Sequence, residues 1–280
     1  MIDSGVIVLQ FDPALDLGDL AIRWQTIGVT AAVLLALIAV GASVTTYGWR
    51  LTELVLIVVG IVPGAVIGGR LVHGLAYLDF YAPDPVRLLD PSVGTLSLLG
   101  AVLGGLASAT YVARHMGVAP RPWADAAALP LLLAIGLSKF AQLLGGSGQG
   151  MPFDGPWAVA FAGEGPWVSA YPDLPSHPAQ VYEGLWMLMG IPLLALWRRR
   201  RLGPERARPL DWEGWPGEGG LLVAALAWFL FGRVIVGFTW RDEALLGPLN
   251  VEQALALVAL IVIVFVRLLR AGRRVVAART

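Results

Sequence analysis

The sequence predicts an all-α integral membrane protein: a single domain over residues 1–280 with seven transmembrane helices and a small extracytoplasmic cap formed by loops. Composition is the first observation behind this. Of 280 residues, 57% are hydrophobic and 14% charged, and mean hydropathy is +0.71, far from the usual soluble balance. The second is the spacing of apolar windows, each about 20 residues long, the length that crosses roughly 30 Å of hydrocarbon. They begin near Ile22, Leu51, Val93, Ala124, Pro178, Gly219 and Leu249. The third is the distribution of the twenty Lys and Arg residues, most of which fall at alternate ends of these windows.

The chain opens on Val6 to Leu20, a stretch containing Phe11-Asp12-Pro13 that suits a short interfacial segment. No basic region precedes it and no small-residue cleavage site follows, so it does not read as a removable signal peptide. After the first window comes Arg50, and after the third come Arg114 and Arg121. After the fifth comes the Arg198 to Arg201 cluster with Arg206 and Arg208; beyond the seventh lie Arg267, Arg270, Arg273, Arg274 and Arg279. The positive-inside rule makes these cytoplasmic. The opposite loops hold Arg87 and Arg241 among Asp79, Asp84, Asp90, Asp154, Glu164, Asp173, Asp242 and Glu243, so they and the N-terminus face outward.

Glycines recur in the windows, as in Gly64, Gly68, Gly69, Gly100, Gly104 and Gly105, at spacings that allow close helix approach. Two outward loops are long, Tyr77 to Ser92 and Ser147 to Ser176. The second, rich in Gly, Pro and Trp, predicts a small folded cap over 147–177 whose Trp157, Phe161, Trp167 and Tyr171 offer apolar surface to the headgroup layer.

Several function classes are excluded. With no cysteine there is no disulfide, thiol nucleophile or thiolate metal site, so any thiol in the chemistry arrives on a substrate. The chain has no paired His spacing for zinc, no phosphate-binding Gly-Lys-Ser/Thr loop, and no internal repeat of the kind that marks many transporters. A small-solute transporter is the reading these absences weaken.

What remains is a set of polar groups placed where hydrocarbon would penalise them. Arg70, Lys139 and Arg233 each lie in the outward half of a predicted helix, at about 3 kcal/mol apiece on insertion scales. A phosphate entering from the outer leaflet would compensate all three, since Arg grips two oxygens and Lys supplies a point charge. Pairing with carboxylates is the alternative, with Glu183 the obvious partner, and it is compatible with the first. Asn250, Glu252 and Gln253 start the seventh window; Asn250 and Glu252 either cap it or add polar groups at this depth. His177-Pro178-Ala179-Gln180-Val181-Tyr182-Glu183 crowds an imidazole, an amide, a phenol and a carboxylate into the mouth of the fifth window. Of the three histidines, His115 lies in a cytoplasmic loop, while His73 and His177 are outward. A helix N-terminus disfavours protonated His177, keeping it available as a base or hydrogen-bond partner.

These residues resemble, nearly end to end, the prolipoprotein diacylglyceryl transferases of bacterial inner membranes. Phe11-Asp12-Pro13 with Ile22-Arg23-Trp24 is similar to the family's opening, and Gly68-Gly69-Arg70 to its second-helix motif. The most specific matches are Gly155-Pro156-Trp157-Ala158-Val159-Ala160-Phe161 and the His177 to Glu183 run. The resemblance implies a multi-pass protein of the cytoplasmic (inner) membrane, N-terminus outside and C-terminus cytoplasmic. Its implied activity is transfer of a diacylglyceryl group from phosphatidylglycerol, or a related phospholipid, to the lipobox cysteine thiol of a prolipoprotein. The implied partners are that lipid, the prolipoprotein signal peptide and the membrane, with no nucleic acid, cofactor or metal. Lys139, Arg233 and His177 are the expected catalytic residues. Arg70, Gln142, Gly146, Gln180, Tyr182 and Glu183 are the expected substrate-binding residues.

This chain also departs from the family pattern. Lys139-Phe140-Ala141-Gln142-Leu143-Leu144-Gly145-Gly146-Ser147 stands where the family carries Arg-Leu-Gly-Asn-Phe-hydrophobic-Asn-Gly-Glu. The family's third-helix histidine falls on Leu99, a first-helix tyrosine on Gln25, a tyrosine four residues before Arg233 on Phe229, a glutamate four residues after it on Gly237, and a later arginine on Trp240 with Arg241 one step displaced. Leu99 cannot exchange a proton, which leaves His177, His73 or Lys139 as candidate bases. The alternative function is a catalytically inactive or re-specialised paralogue that binds phospholipid or lipoprotein precursor.

Overall fold

The computed structural model describes residues 5–18, 21–46, 50–90, 96–118, 120–163, 165–202 and 220–277. Val93 and Gly219, the expected starts of two windows, lie outside them, as do Glu164, Arg206, Arg208 and Arg279.

Helices dominate. In chain order they are α1 (Trp24–Thr46), α2 (Leu51–Ala76), the one-turn α3 (Leu78–Tyr81), α4 (Leu98–His115), α5 (Pro120–Leu143), α6 (Ala179–Leu202), α7 (Gly220–Val236) and α8 (Val251–Ala277). Among the described residues six helices are long and apolar enough to cross a membrane, where the sequence predicts seven. The one that falls short is α4, with 18 residues and Arg114 and His115 in its last turn. Large apolar side chains point outward from the spans, Ile38 at 68% and Phe265 at 60% exposure. They mark the face a bilayer would cover.

With no hydrophobic drive to bring helices together in lipid, close packing must do it, and the glycines show how. Along α2 and α4, the most extensive helix pair, a Cβ on Gly64 would sit 2.3 Å from Gly104 O, and one on Gly68 2.3 Å from Gly100 O. Ser97 caps α4 by accepting from Gly100 N at 3.2 Å. On α5 and α6, Gly136 faces Leu188 and the Gly184 carbonyl. Between α6 and α7 the device is aromatic: Trp186 and Trp228 stack at 4.4 Å, and each indole N–H donates to the other residue's carbonyl (3.0 and 2.8 Å). Gly190 and Gly232 leave room for these rings.

Strands modify the all-α expectation. Three two-stranded sheets occur among the described residues, all at the end of the bundle where α2, α5 and α7 finish and α4, α6 and α8 begin. The expected interfacial segment is strand: β1 (Ile7–Gln10) pairs in parallel with β4 (Val159–Ala162). β2 (Ala14–Asp16) and β3 (Ala21–Arg23) form a hairpin leading into α1, and β5 (Ala244–Leu246) pairs with β6 (Leu249–Asn250) before α8. Described residues between 149 and 174 gather around Gln149. Its amide donates to Leu174 O (2.9 Å), Val159 O (3.3 Å) and Pro172 O (3.4 Å) and accepts from Ser169 Oγ (2.5 Å). The four aromatic residues of this region divide: Phe161 is buried, Trp167 is half-buried against Phe161 and Phe11, and Trp157 and Tyr171 are exposed. A hydrocarbon core, including Leu99, Leu132, Met187 and Phe229, fills the middle of α4 to α8.

Candidate functional site

The run His177 to Glu183 enters α6 at Pro178, and helical geometry splits it. Gln180 and Glu183, three residues apart, share the inward face and are each 1% exposed. His177 and Tyr182 look toward the cap, where His177 Nδ1 meets Tyr182 Oη at 3.2 Å and Trp157 Nε1 donates to that hydroxyl at 2.7 Å. The imidazole stacks on Phe153 with centroids 4.0 Å apart. His177 therefore belongs to an aromatic rim, held from both sides.

Glu183 is the centre of the inward group. Its Oε2 lies 2.7 Å from Lys139 Nζ on α5, and its Oε1 accepts from Arg233 Nη1 on α7 at 2.5 Å. Arg233 Nη2 then pairs with Glu252 on α8. Two cations and two carboxylates from four helices thus form one charge-balanced cluster. Such a set is stable in low dielectric only because every charge has an opposite neighbour. The close approach at Gly136 and Gly184, next to Lys139 and Glu183, brings the first pair together. Trp240 lies 3.9 Å from the Arg233 guanidinium carbon, within cation–π range, so the residue in place of a family arginine covers an arginine. Arg233 Nε is buried and meets no acceptor among the described residues.

Glu252 is the member whose role the sequence leaves open. Asn250 and Gln253 cap α8 reciprocally, Gln253 N donating to Asn250 Oδ1 (2.8 Å) and Asn250 N to Gln253 Oε1 (3.0 Å). That frees Glu252 for Arg233. Gly237 is tight: a Cβ there would lie 2.5 Å from Gln253 Cγ. A carboxylate reaches Arg233 from α8 instead of from position 237.

A second polar group adjoins the first. After α5 the chain turns back through Gly146 (φ 71°) and Gly148 (φ 75°), left-handed conformations that side chains other than glycine resist. A Cβ on Gly148 would be 3.1 Å from Gln142 Oε1 and 3.7 Å from Gln180 Cβ, and one on Gly145 2.2 Å from Gln25 Oε1. Gly146 itself backs onto Trp167 and Phe161. The Oε1 of Gln25 and of Gln142 and both amide atoms of Gln180 are buried without a hydrogen-bond partner among the described residues. Unmet amides of this kind are costly unless something else meets them.

The three cations expected to share an anion divide. Lys139 and Arg233 meet on Glu183, whereas Arg70 Nη2 donates to Asp90 O at 2.8 Å beyond α2. Nearby, Tyr77 Oη donates to Asp242 Oδ1 at 3.0 Å, and burial, reinforced by the Asp242 charge, pushes the Tyr77 phenol up to about 12. The His73 ring packs against Tyr77 and Tyr81. Arg241 fastens the cap, donating to Gly150 O (2.5 Å) and Ser176 Oγ (2.6 Å). At the family histidine and tyrosine positions, Leu99 and Phe229 are both fully buried in the hydrocarbon core.

Fold and site together define a multi-pass membrane protein with a buried, charge-balanced polar centre at one end of its bundle. The chain belongs to the prolipoprotein diacylglyceryl transferase family, whose model matches residues 13–269. It is similar to proteins named phosphatidylglycerol-prolipoprotein diacylglyceryl transferase. The one from Oleidesulfovibrio alaskensis is 31% identical over 83% of this chain and 95% of the relative. That from Chloroherpeton thalassium is 30% identical over 72% and 70%, and that from Trichormus variabilis 27% over 86% and 83%.

Proposed function

We propose that the protein transfers the diacylglyceryl group of phosphatidylglycerol to the lipobox cysteine thiol of a prolipoprotein, releasing glycerol phosphate. The observation that carries this reading is the convergence of Lys139 and Arg233 on one buried carboxylate within a family member. The family membership supports the reaction, and the cluster supports survival of its anion-binding centre despite the substitutions around it.

Arg233 and Lys139 hold the lipid phosphate and stabilise the charge that grows on it as the carbon–oxygen bond breaks. The orphaned amides of Gln142 and Gln180, with the Gly146 turn beside them, meet the glycerol hydroxyls of the headgroup. Glu183 fixes both cations between turnovers. Tyr182 and His177 line the mouth, and Arg70 orders the loop at its edge. His177, engaged by Tyr182 and Phe153, orients the rim and leaves the proton to another group. The thiol comes with the signal peptide of the precursor, consistent with the lack of cysteine in this chain.

The arrangement in the membrane follows from charge. All seven long helices, α4 included, cross the bilayer as one domain; the N-terminus and the 147–177 cap lie outside and the arginine-rich ends lie in the cytoplasm. The membrane is the bacterial cytoplasmic membrane. Reporter fusions at the loop after α5 and at the C-terminus test this, and equal labelling from the same side would overturn it. For the activity, purified protein is incubated with phosphatidylglycerol and a lipobox peptide. A thioether-lipidated peptide is expected; its absence, beside an active relative under the same conditions, would overturn the transferase reading in favour of a lipid-binding paralogue.

A further inference from the structure

Resting on that transferase reading, we infer that Glu252 is an exchangeable counterion: the lipid phosphate takes its place on Arg233, and the released carboxylate accepts the proton of the incoming thiol. Charge balance leads to it first. Lys139, Arg233, Glu183 and Glu252 sum to zero, so a phosphodiester entering this cluster adds an uncompensated negative charge in a low dielectric. Either a carboxylate withdraws or it takes up a proton.

The geometry selects which one. Glu183 is 1% exposed and tied to both cations, whereas the Glu252 side chain is 15% exposed and, among the described residues, tied to Arg233 alone. Glu252 can leave with one ion pair broken. Arg233 is prepared for the exchange, since its buried Nε lacks an acceptor among the described residues and Trp240 covers its face. A phosphate that displaces Glu252 from Nη2 and also engages Nε makes a two-pronged contact.

The proton also needs a destination, and Glu252 is the carboxylate that the exchange releases beside the phosphate. Leu99 cannot take it, His177 is bonded to Tyr182 and stacked on Phe153, and Lys139 is paired with Glu183. Other ionisable groups at this end of the bundle include Arg70 and His73 on α2, Tyr77 after it, and Arg241, Asp242 and Glu243 before β5. Of these, Asp242 is bonded by Tyr77. In the step, the thiol S–H breaks and its proton passes to the Glu252 carboxylate. The thiolate forms a C–S bond at the glyceryl carbon that bears the phosphate, and the electron pair of the broken C–O bond departs with glycerol phosphate. Glu252 then loses its proton to water and returns to Arg233.

The test has two arms on the full-length protein. In the first, binding of phosphatidylglycerol to Glu252→Gln is compared with wild type. Removal of the competing charge should tighten it by about three- to tenfold, and equal or weaker binding overturns the exchange. In the second, turnover with a lipobox peptide is followed against pH. Wild type should lose kcat on the acidic side as Glu252 is protonated. Glu252→Gln should lose about 10²- to 10⁴-fold in kcat, the usual contribution of a general base, with its remaining rate climbing with the thiol's own ionisation. Glu252→Asp, which keeps the charge, should keep the acidic limb. An unchanged kcat and pH profile in Glu252→Gln overturns the base role. No product from wild type overturns the transferase reading itself, and the binding arm still decides the exchange.

Discussion

The α2–α4 seam and the centre where α5, α6, α7 and α8 meet solve the same packing problem in opposite ways. On the seam, side chains are deleted: Gly64, Gly68, Gly100 and Gly104 let backbone meet backbone. At the centre, charged side chains are added, and Lys139, Glu183, Arg233 and Glu252 hold four helices by mutual neutralisation. The seam gains only contact, so its chemistry is inert. The centre carries a desolvation cost that packing alone has no reason to incur, and that cost supports the functional role proposed for it.

Predictions that break this contrast can be ranked by size. Arg233→Ala should be the most damaging, since it leaves Glu183 with Lys139 alone and Glu252 with no cation; breaking a buried pair costs about 3–5 kcal/mol. Thermal unfolding in detergent should fall sharply and thioether formation should vanish. If stability holds while activity is lost, the centre is catalytic more than structural. On the seam, Gly68→Ala places a Cβ 2.3 Å from Gly100 O, and the helices must separate at about 1–3 kcal/mol. Here activity should fall only in step with unfolding, so a selective loss of kcat would blur the distinction.

Trp186→Phe is intermediate. It keeps most of the stacked ring but leaves the Trp228 carbonyl without its 3.0 Å donor, for about 1 kcal/mol with little change in rate. Smallest is Tyr77→Phe, about 1 kcal/mol or less for a hydrogen bond at a half-exposed site. Because the folded-state value of Tyr77 is raised from 10.0 to about 12, native protein retains a proton that unfolded chain releases. Its contribution is therefore complete below 10.0 and lost as pH rises toward about 12. Stability followed through that alkaline window should show a descending limb in wild type that is shallower in Tyr77→Phe.

Much of this was legible in the residues. Apolar windows placed the helices to within a few positions, since hydropathy and helix length are local properties. The glycine spacing indicated close helix packing without saying which helices meet, and the isolated charges at Lys139 and Arg233 pointed to Glu183 as a partner. Other features were not legible. The strand pairing of Ile7–Gln10 with Val159–Ala162 joins segments about 150 residues apart, and no local pattern marks it. Glu252 read equally as a helix cap or as a further polar group at the depth of the site, and its ion pair depends on where α7 places Arg233. Gln149, an unremarkable loop amide, organises the cap only because three carbonyls converge on it.

By itself, then, the sequence determined a membrane protein with arginine-marked helix ends, cations within apolar helices and no thiol, because transfer energies and charge asymmetry act residue by residue. Only the tertiary structure decided which charges neutralise which. It set Lys139 and Arg233 on Glu183, gave Arg70 to the Asp90 carbonyl and lent Glu252 to Arg233. Coulomb energy falls off with distance and is amplified by burial, and both are fixed only once the helices have packed.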